Sequence, residues 1–198
     1  MKKRIAFFDF DGTITTKDTF LEFIKFCKGS FRFYAGMLVN LHYLVAFKLK
    51  IIPNQKAKEK VLEHFFKGMP AEEFKTWCYE FSQQLLPKLI RPKAIEEIKK
   101  LKEEDYTIVI VSASPQNWIL PWAESMNLPV LASCLETKEG RVTGKLDGKN
   151  CRGPEKVRRI SEKYVMNDYE SIYAYGDSSG DLEMLKLATK AHYRPFRD

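Results

Sequence analysis

The sequence predicts an α/β fold, a doubly wound parallel sheet with a helical domain inserted after its first strand. Two observations support this prediction. Short apolar runs, each ending in a small polar loop, recur along the chain, and stretches with helical periodicity separate them. Strands that alternate with helices in this way usually form a parallel sheet with right-handed crossovers. In addition, a long helical stretch separates the first apolar run from the second.

The predicted strands deliver polar loops to one edge of the sheet. The most regular strand patterns occupy residues 5–10, 106–111 and 171–175. Shorter strands are expected at 130–132 and 191–193, a helix at 155–163, and a β-hairpin beside the sheet at 135–148. Ligands of open parallel sheets bind outside the carboxyl ends of the strands. The loops that follow the strands are therefore the expected site.

Residues 16–90 are expected to form a helical cap domain, with residues 1–15 and 91–198 forming the α/β core. The segment holds 14 of the 26 aromatic residues, and 12 basic against 7 acidic side chains. Pro53 and Pro70 interrupt its helical periodicity. An insertion at this point would lie over the carboxyl ends of the strands.

The strand ends bring together side chains that suit phosphoryl transfer: Asp9, Asp11, Ser112, Asp177 and Asp181. A carboxylate can attack phosphorus and hold the phosphoryl group as an acyl phosphate, which water then hydrolyses. Asp9 and Asp11 are two residues apart at a strand end, so both can reach one bound phosphate. We expect one of them to be the nucleophile and the other to protonate the leaving alkoxide.

The same acidic groups suit Mg²⁺, which prefers oxygen ligands and retains waters beside a substrate phosphate oxygen. The predicted ligands are Asp9, Asp11 through its backbone carbonyl, and Asp177, with Asp181 supporting the metal loop. An alternative is that Asp177 and Asp181 only cap a helix, where acidic groups are favoured by the helix dipole.

A cation and a hydroxyl would complete the phosphate site. Lys156 is expected to offset charge on the phosphoryl oxygens, although Arg152, four residues earlier, is compatible with the same role. Ser112 is expected to donate its hydroxyl to these oxygens, unless it only satisfies the backbone of a turn. The remaining residues expected in contact with the phosphate are Gly12, Thr13, Ala113 and Ser114.

These motifs resemble the four ordered motifs of the haloacid dehalogenase-like hydrolases, subfamily I. They are Asp9-Phe10-Asp11-Gly12-Thr13, Ser112-Ala113-Ser114, Lys156 and Gly176-Asp177-Ser178-Ser179-Gly180-Asp181. The stretch 150–156 and the helical insertion are similar to the phosphoserine phosphatase-like branch. The resemblance implies a Rossmann-like core, Asp9 as the nucleophile and Asp11 as the general acid and base. Dehalogenases and P-type ATPases lack the second carboxylate, so Asp11 favours a phosphatase.

The substrate is less clearly specified. The resemblance to phosphoserine phosphatases implies an acid in the cap near position 18, which binds the substrate amine, and a cap arginine, which binds the substrate carboxylate. Asp18 and Arg32 are the corresponding residues here, but Asp18 stands in place of a glutamate. Together with Thr19 and Glu22, Asp18 also has the pattern of a helix N-cap. The sequence leaves both roles open.

An uncharged run of 15 residues, 33–47, is shorter than the roughly 20 residues needed to span a bilayer. Two interpretations remain: a helix on an anionic bilayer surface, or a helix buried in the cap. The aromatic, basic cap resembles phosphatidylglycerophosphate phosphatases of the same branch. That resemblance implies a lipid phosphate ester as substrate and peripheral contact with a membrane, whereas a small-molecule ester such as phosphoserine is the alternative.

Residues 23–58 contain no acidic side chain, although the net charge of the whole chain is only +7. A rival interpretation is therefore an anion- or nucleic-acid-binding module with this segment as its surface. The complete set of catalytic motifs disfavours that class, and we expect no nucleic-acid partner. A phosphotransferase with an acceptor other than water is also compatible with the motifs.

The remaining composition excludes several other classes. The four cysteines are scattered without a CxxC pair, so neither a zinc site nor a disulfide framework is expected. The basic start at residues 1–4 precedes an apolar run too short for a signal peptide. We expect a cytoplasmic enzyme, and the sequence does not specify an oligomeric state.

Overall fold

The computed structural model of the protein describes residues 3–197. Met1, Lys2 and Asp198 lie outside the described residues. All three belong to the predicted core, and Met1 and Lys2 are also the first two residues of the basic start. The described strands are β1 (Lys3–Phe8), β2 (Tyr106–Pro115), β3 (Val130–Lys138), β4 (Arg141–Asp147), β5 (Tyr169–Gly176) and β6 (Lys190–Tyr193).

These strands form one sheet in the order β4-β3-β2-β1-β5-β6. Each neighbouring pair is parallel except β3 and β4, which are antiparallel. The α/β fold class with a parallel sheet is therefore confirmed. The helices are α1 (Thr19–Val39), α2 (Leu41–Lys48), α3 (Asn54–Phe66), α4 (Ala71–Gln84), α5 (Leu86–Leu89), α6 (Pro92–Glu103), α7 (Leu120–Ser125), α8 (Pro154–Lys163) and α9 (Leu182–Lys186).

The strands differ from their predicted bounds, most clearly at β1, β2 and β3. β2 continues to Pro115 rather than ending at residue 111, so Ser112, Ala113 and Ser114 belong to the strand and not to a loop after it. β1 ends at Phe8 rather than at residue 10. The chain turns at this point, and the turn is closed by a hydrogen bond that the Thr15 amide donates to the Phe10 carbonyl over 3.0 Å. The predicted strand at 130–132 and the first arm of the predicted hairpin are one strand, β3. β3 pairs with β2 at its start and with β4 farther along, so the hairpin belongs to the sheet.

The central strand β1 is buried on both faces, as expected for a parallel sheet covered by helices. Ala6 and Phe8 pack in a cluster that includes the helices between β1 and β2. Ile5 and Phe7 pack on the other face, in a cluster with residues of α8 and α9. An apolar run with no alternation is the pattern that such two-sided burial requires.

The helical segment between β1 and β2 begins and ends at one place. Thr15 and Ile90 form an isolated antiparallel bridge. The Thr16 amide donates to the Leu89 carbonyl over 2.7 Å, and the Arg91 amide donates to the Ile14 carbonyl over 2.8 Å. The chain therefore enters and leaves the helices α1–α5 through two paired segments beside the end of β1.

Aromatic side chains fix this helical segment on the core. Phe23 of α1 stacks on Trp118, which follows β2, with ring centroids 4.5 Å apart. Phe66 and Phe81 contact the same ring of Phe23 at 5.6 and 5.4 Å. The Trp118 Nε1 group also donates to the Thr19 hydroxyl over 3.0 Å. These contacts place the start of α1 beside the carboxyl end of β2.

Candidate active site

A cavity of about 620 Å³ opens at the carboxyl ends of β1, β2 and β5. The loops after β1 and β5 contribute Asp9, Asp11, Asp177 and Asp181 to its lining, and the last residues of β2 contribute Ala113 and Ser114. The helices between β1 and β2 contribute Phe20, Phe47, Asn54 and Lys58, and Asp18 precedes them. The cavity is thus shared between the end of the sheet and the helical segment.

Asp9 follows β1 and is only 6% exposed. Its Oδ1 accepts a hydrogen bond from Lys156 Nζ at 2.6 Å, and its Oδ2 accepts one from the Thr13 hydroxyl at 3.2 Å. Burial raises the pKa of Asp9; Lys156 opposes the shift, and the negative charges of Asp181 and Asp11 add to it. A buried carboxylate among other carboxylates favours added positive charge at this point.

Lys156 lies in the first turn of α8 and is 1% exposed. Its ammonium donates to Asp9 Oδ1 at 2.6 Å, to Asp181 Oδ1 at 2.7 Å and to the Val111 carbonyl at 2.6 Å. Burial acts to lower its pKa, but Asp9 and Asp181 outweigh that effect, so the pKa lies above its usual value. Lys156 is therefore a permanently charged bridge between two buried carboxylates.

Arg152, the alternative to Lys156, lies farther out in the cavity. Its guanidinium donates to the Ser179 hydroxyl over 2.8 Å. Its side chain also covers Gly180, where a Cβ would lie 2.8 Å from Arg152 Cγ. The structure thus puts Lys156, and not Arg152, in contact with Asp9.

Asp11 is held by the first residue of α1. Its Oδ1 accepts hydrogen bonds from the Thr19 amide at 2.7 Å and the Thr19 hydroxyl at 2.5 Å. Its Oδ2 accepts a longer one from the Ser112 hydroxyl at 3.3 Å. The structure therefore brings Asp11 and Ser112 together, and Thr19 is a neighbour that the sequence did not reveal.

Ser112 and the two residues after it belong to the carboxyl end of β2. The Ser112 hydroxyl accepts a hydrogen bond from the Ser114 amide at 3.0 Å. The Ala113 carbonyl accepts one from Lys58 Nζ at 2.8 Å and another from the Ser133 hydroxyl at 2.8 Å. Ser112 thus satisfies the backbone, which is one of the two roles left open by the sequence, and its hydroxyl also contacts Asp11.

Asp177 and Asp181 follow β5. Oxygen atoms of Asp9, Asp177 and Asp181 lie within 4.8 Å of one another. Both Asp181 oxygens are already in use: Oδ1 accepts from Lys156, and Oδ2 accepts from the Ser178 amide and hydroxyl at 2.9 and 2.7 Å. Burial acts against the charged form of Asp181, but Lys156 and Ser178 keep its pKa below the usual value.

Asp177 is half-buried, and its carboxylate contacts the end of the chain. Arg197 Nη2 donates to Asp177 Oδ2 over 2.5 Å. Phe196, beside it, stacks on Tyr175 with centroids 5.6 Å apart. Burial raises the pKa of Asp177, and the charge of Asp181 adds to the shift. The ion pair with Arg197 offsets the negative charge of the Asp177 carboxylate.

Gly12 lies between Asp11 and the Asp177 carboxylate. Its φ of +79° is a conformation that L side chains rarely adopt, and a Cβ there would lie 2.5 Å from Asp177 Oδ2. Thr13, the next predicted phosphate residue, is fully buried and turned toward Asp9. Glycine at position 12 is thus required both by the turn and by the close approach of Asp177.

Asp18 is the N-cap of α1, which is one of the two roles that the sequence left open, and its side chain is also near the cavity. As the N-cap of α1, it accepts hydrogen bonds from the Phe20 amide at 2.9 Å and the Leu21 amide at 3.4 Å. Burial raises its pKa to about 6, and the charge of Asp11 contributes in the same direction.

Arg32, the predicted partner of Asp18, lies elsewhere, in a groove beside Phe31 and His64. Two cations of the helical segment line the cavity instead: Lys17, before α1, and Lys58 of α3. Burial lowers the pKa of Lys58, although the charges of Asp11 and Asp18 oppose the shift. Lys58 belongs to the acid-free basic stretch of the sequence, but nothing in that pattern singles it out from Lys50 or Lys56.

The chain was compared with known proteins. The haloacid dehalogenase-like hydrolase family matches residues 6–186. Protein CicA of Caulobacter vibrioides is 36% identical over 194 residues, covering 96% of this chain and 85% of that protein. A phosphoserine phosphatase of Methanocaldococcus jannaschii is 25% identical over 195 residues, covering 94% of this chain and 83% of that protein.

The fold agrees with these matches. A solved structure of a Bordetella pertussis protein with unknown function superposes with a TM-score of 0.83 at 20% identity, covering 96% of this chain and 89% of that one. The resemblance drawn from the sequence motifs is thereby confirmed. The chain belongs to the haloacid dehalogenase-like hydrolase family and is a phosphatase of that family.

Proposed function

We propose that the enzyme hydrolyses phosphate monoesters with Mg²⁺, through an aspartyl-phosphate on Asp9. One observation carries the proposal: the buried Asp9 carboxylate is held between Lys156 and Thr13 and lies close to the Asp177 and Asp181 carboxylates. Held in this way, Asp9 has a fixed orientation toward the cavity that a substrate phosphate would enter. A phosphate there would require positive charge on its other sides.

The reaction has two steps. An Asp9 oxygen attacks phosphorus, the ester P–O bond breaks, and Asp11 gives a proton to the leaving alkoxide. Asp11 then takes a proton from water, which attacks the acyl phosphate, releases inorganic phosphate and restores the Asp9 carboxylate. Hydrogen bonds from the Thr19 amide and hydroxyl hold the Asp11 carboxyl group in a fixed position for both proton transfers.

The acidic cluster is suited to the metal that this chemistry needs. Three neighbouring carboxylates, two of them with raised pKa, offer the hard oxygen ligands that Mg²⁺ prefers. Asp9, Asp177 and the backbone carbonyl of Asp11 would hold the ion, and Asp181 would fix the loop through its hydrogen bonds to Ser178. When bound, Mg²⁺ offsets the repulsion between the phosphate and these carboxylates.

The remaining predicted residues would bind the phosphoryl oxygens. Lys156 would supply charge beside Asp9, and Ser112 a hydroxyl from the end of β2. Backbone or side-chain groups of Gly12, Thr13, Ala113 and Ser114 would complete the contacts. Residues 16–90 would act as the cap domain, since Asp18, Phe20, Phe47, Asn54 and Lys58 contribute to the cavity.

We expect Gly12→Ala to lower kcat at least ~100-fold, because the new Cβ would displace Asp177 and misplace the reacting groups. Gly148→Ala is the matched control. Gly148 has a similar φ of +82°, but a Cβ there meets no heavy atom within 4 Å. Steady-state kinetics with p-nitrophenyl phosphate should show a normal kcat for the control. Equal kcat values for the two variants would mean that Asp177 has no part in turnover.

For the substrate, we propose a phosphomonoester with an apolar or lipid portion, such as phosphatidylglycerophosphate, on an enzyme that contacts the membrane from one side. Phe20 and Phe47 supply apolar surface in the cavity, and Lys58 is a cation available to a second anionic group. Phosphoserine is the second candidate. Asp18 and Lys58 together carry the two charges that would bind its amine and its carboxylate, and one relative is named as a phosphoserine phosphatase.

A panel of phosphate esters, assayed with Mg²⁺ and with EDTA, tests both parts of the proposal. We expect EDTA to abolish turnover of every ester and added Mg²⁺ to restore it. We expect kcat/KM for phosphatidylglycerophosphate in micelles to exceed that for phosphoserine at least ~10-fold, the effect of burying a small apolar group. Turnover that persists in EDTA would contradict the metal dependence. Lack of preference for the lipid would leave phosphoserine-like esters as the substrate class.

A further inference from the structure

The second half of α1, α2 and the turn after α2 expose large apolar side chains to solvent. We name this surface the α1–α2 face; its members are Phe31, Tyr34, Leu38, Val39, Leu41, Val45, Leu49 and Ile51. Phe31 is 86% exposed, and Leu38 and Ile51 are each 71% exposed. These eight make up most of the exposed large apolar residues among residues 3–197, where the others are Tyr79, Val165, Leu182 and Tyr193. Clustering of this kind marks an interaction surface.

The spacing of these residues makes the surface continuous. Residues 31, 34, 38, 41, 45 and 49 are three or four apart, the spacing at which helical side chains share a side. Helical hydrogen bonds continue across the junction of the two helices. The Asn40 amide donates to the Gly36 carbonyl over 3.1 Å, and the Leu44 amide donates to the Asn40 carbonyl over 3.2 Å.

The opposite side of α1 is packed, so the exposed side is a stable feature. Phe33 and Gly36 are buried, and a Cβ on Gly36 would lie 2.2 Å from the Phe65 ring of α3. The buried Asn40 side chain donates to the Gly36 carbonyl over 2.8 Å. One side of α1 is therefore packed in the helical segment, as the buried interpretation of residues 33–47 predicts in part, while the other side is exposed.

The charges around this face are basic. Arg32, Lys48, Lys50 and Lys56 are exposed, and no acidic residue occurs from 23 to 58. Such a surface is complementary to an anionic one. A symmetric contact between two copies of the face would instead bring these cations together, which disfavours a second copy as the occupant.

The face is also next to the cavity. Phe47, near the end of α2, lines the cavity, and Lys48, Leu49 and Lys50 follow it directly. A partner surface that binds α2 would therefore lie next to the cavity that contains Asp9. Among residues 3–197, no helix is both long enough and apolar enough to cross a bilayer.

From these observations we infer that the α1–α2 face binds the surface of an anionic lipid bilayer. Its apolar side chains enter the headgroup boundary, and its lysines contact lipid phosphates. The inference rests on the proposed function only in the role that it gives to the α1–α2 face, which is to present a lipid phosphate ester to the cavity.

Sedimentation with vesicles of phosphatidylglycerol and phosphatidylcholine tests this inference. We expect the full chain to bind these vesicles, to bind pure phosphatidylcholine more weakly, and to lose affinity as salt is added. The double variant Phe31→Glu/Leu38→Glu should bind at least ~10-fold more weakly, since each new carboxylate is repelled by the lipid and cannot enter the headgroup boundary. Lys48→Gln/Lys50→Gln should remove most of the preference for anionic vesicles. Val165→Glu, an exposed apolar residue outside the face, should bind normally.

Hydrolysis of soluble p-nitrophenyl phosphate, measured on the same samples, separates this inference from the proposed function. All variants should retain it, which also shows that they fold. Vesicle binding that is absent from the full chain, or unchanged in both double variants, would overturn the inference. So would a dimer in solution that Phe31→Glu/Leu38→Glu converts to a monomer. Normal vesicle binding without ester hydrolysis would instead overturn the proposed function alone.

Discussion

Replacement of Asp9 by Asn is expected to lower kcat for every ester by at least ~10⁴-fold, because the amide cannot form the acyl phosphate. The substitution keeps the shape of the side chain and leaves Lys156 bound to Asp181 and the Val111 carbonyl. The fold should therefore remain intact, as circular dichroism can verify. Single-turnover assays with radiolabelled ester should also show no phosphate attached to the variant protein.

Asp168→Asn is the matched control for this experiment, because Asp168 is an exposed acid on the loop before β5. Its kcat should equal that of the unmodified enzyme. Full turnover in Asp9→Asn would refute the covalent mechanism. It would also revive the interpretation in which the basic surface alone is functional.

Lys156→Met is expected to abolish turnover and to lower the free energy of unfolding by about 3–5 kcal/mol, the cost of leaving buried charges unpaired. The variant leaves the Asp9 and Asp181 carboxylates, 8% and 2% exposed in their side chains, without their shared cation. Urea denaturation at several pH values measures the effect. The loss should be largest above neutral pH and smaller in acid, since protonation of the two carboxylates removes the unpaired charges.

In the wild-type enzyme, the contribution of Lys156 to the free energy of unfolding decreases only at high pH. The pKa of Lys156 is raised, so its contribution is complete below the ordinary lysine value of about 10.4 and is lost only above that. Arg152→Met is the control: Arg152 bonds Ser179 at the mouth of the cavity, so its removal should cost less than ~1 kcal/mol. A larger loss of stability for Arg152→Met than for Lys156→Met would contradict the assignment of Lys156.

The parts of the site that depend on the sheet were predictable from sequence. Asp9 and Asp177 follow apolar strands, and Ser112 follows the apolar run within β2. The carboxyl ends of parallel strands meet at one edge. Lys156 was predictable in identity, but its triple hydrogen bonding to Asp9, Asp181 and Val111 depends on how α8 packs against the sheet.

The parts that depend on the helical insertion were not predictable. Thr19 reaches Asp11 only because Trp118 fixes the start of α1, and that contact spans 99 residues. Lys58 faces the cavity while Arg32 faces another groove, because the rotation of α1 and α3 is set by aromatic packing rather than by charge. The extent of β3 was also missed, since one strand changes its partner from β2 to β4 along its length.

The paired entry and exit of the helical segment has an evolutionary consequence. Because residues 15–16 and 89–91 bond to each other, the length and sequence between them can change without altering the register of β1 or β2. Substitutions, insertions and deletions there would alter which ester is recognised while Asp9, Asp177 and Lys156 keep their places. The architecture thus separates the inheritance of a chemical mechanism from the divergence of its specificity.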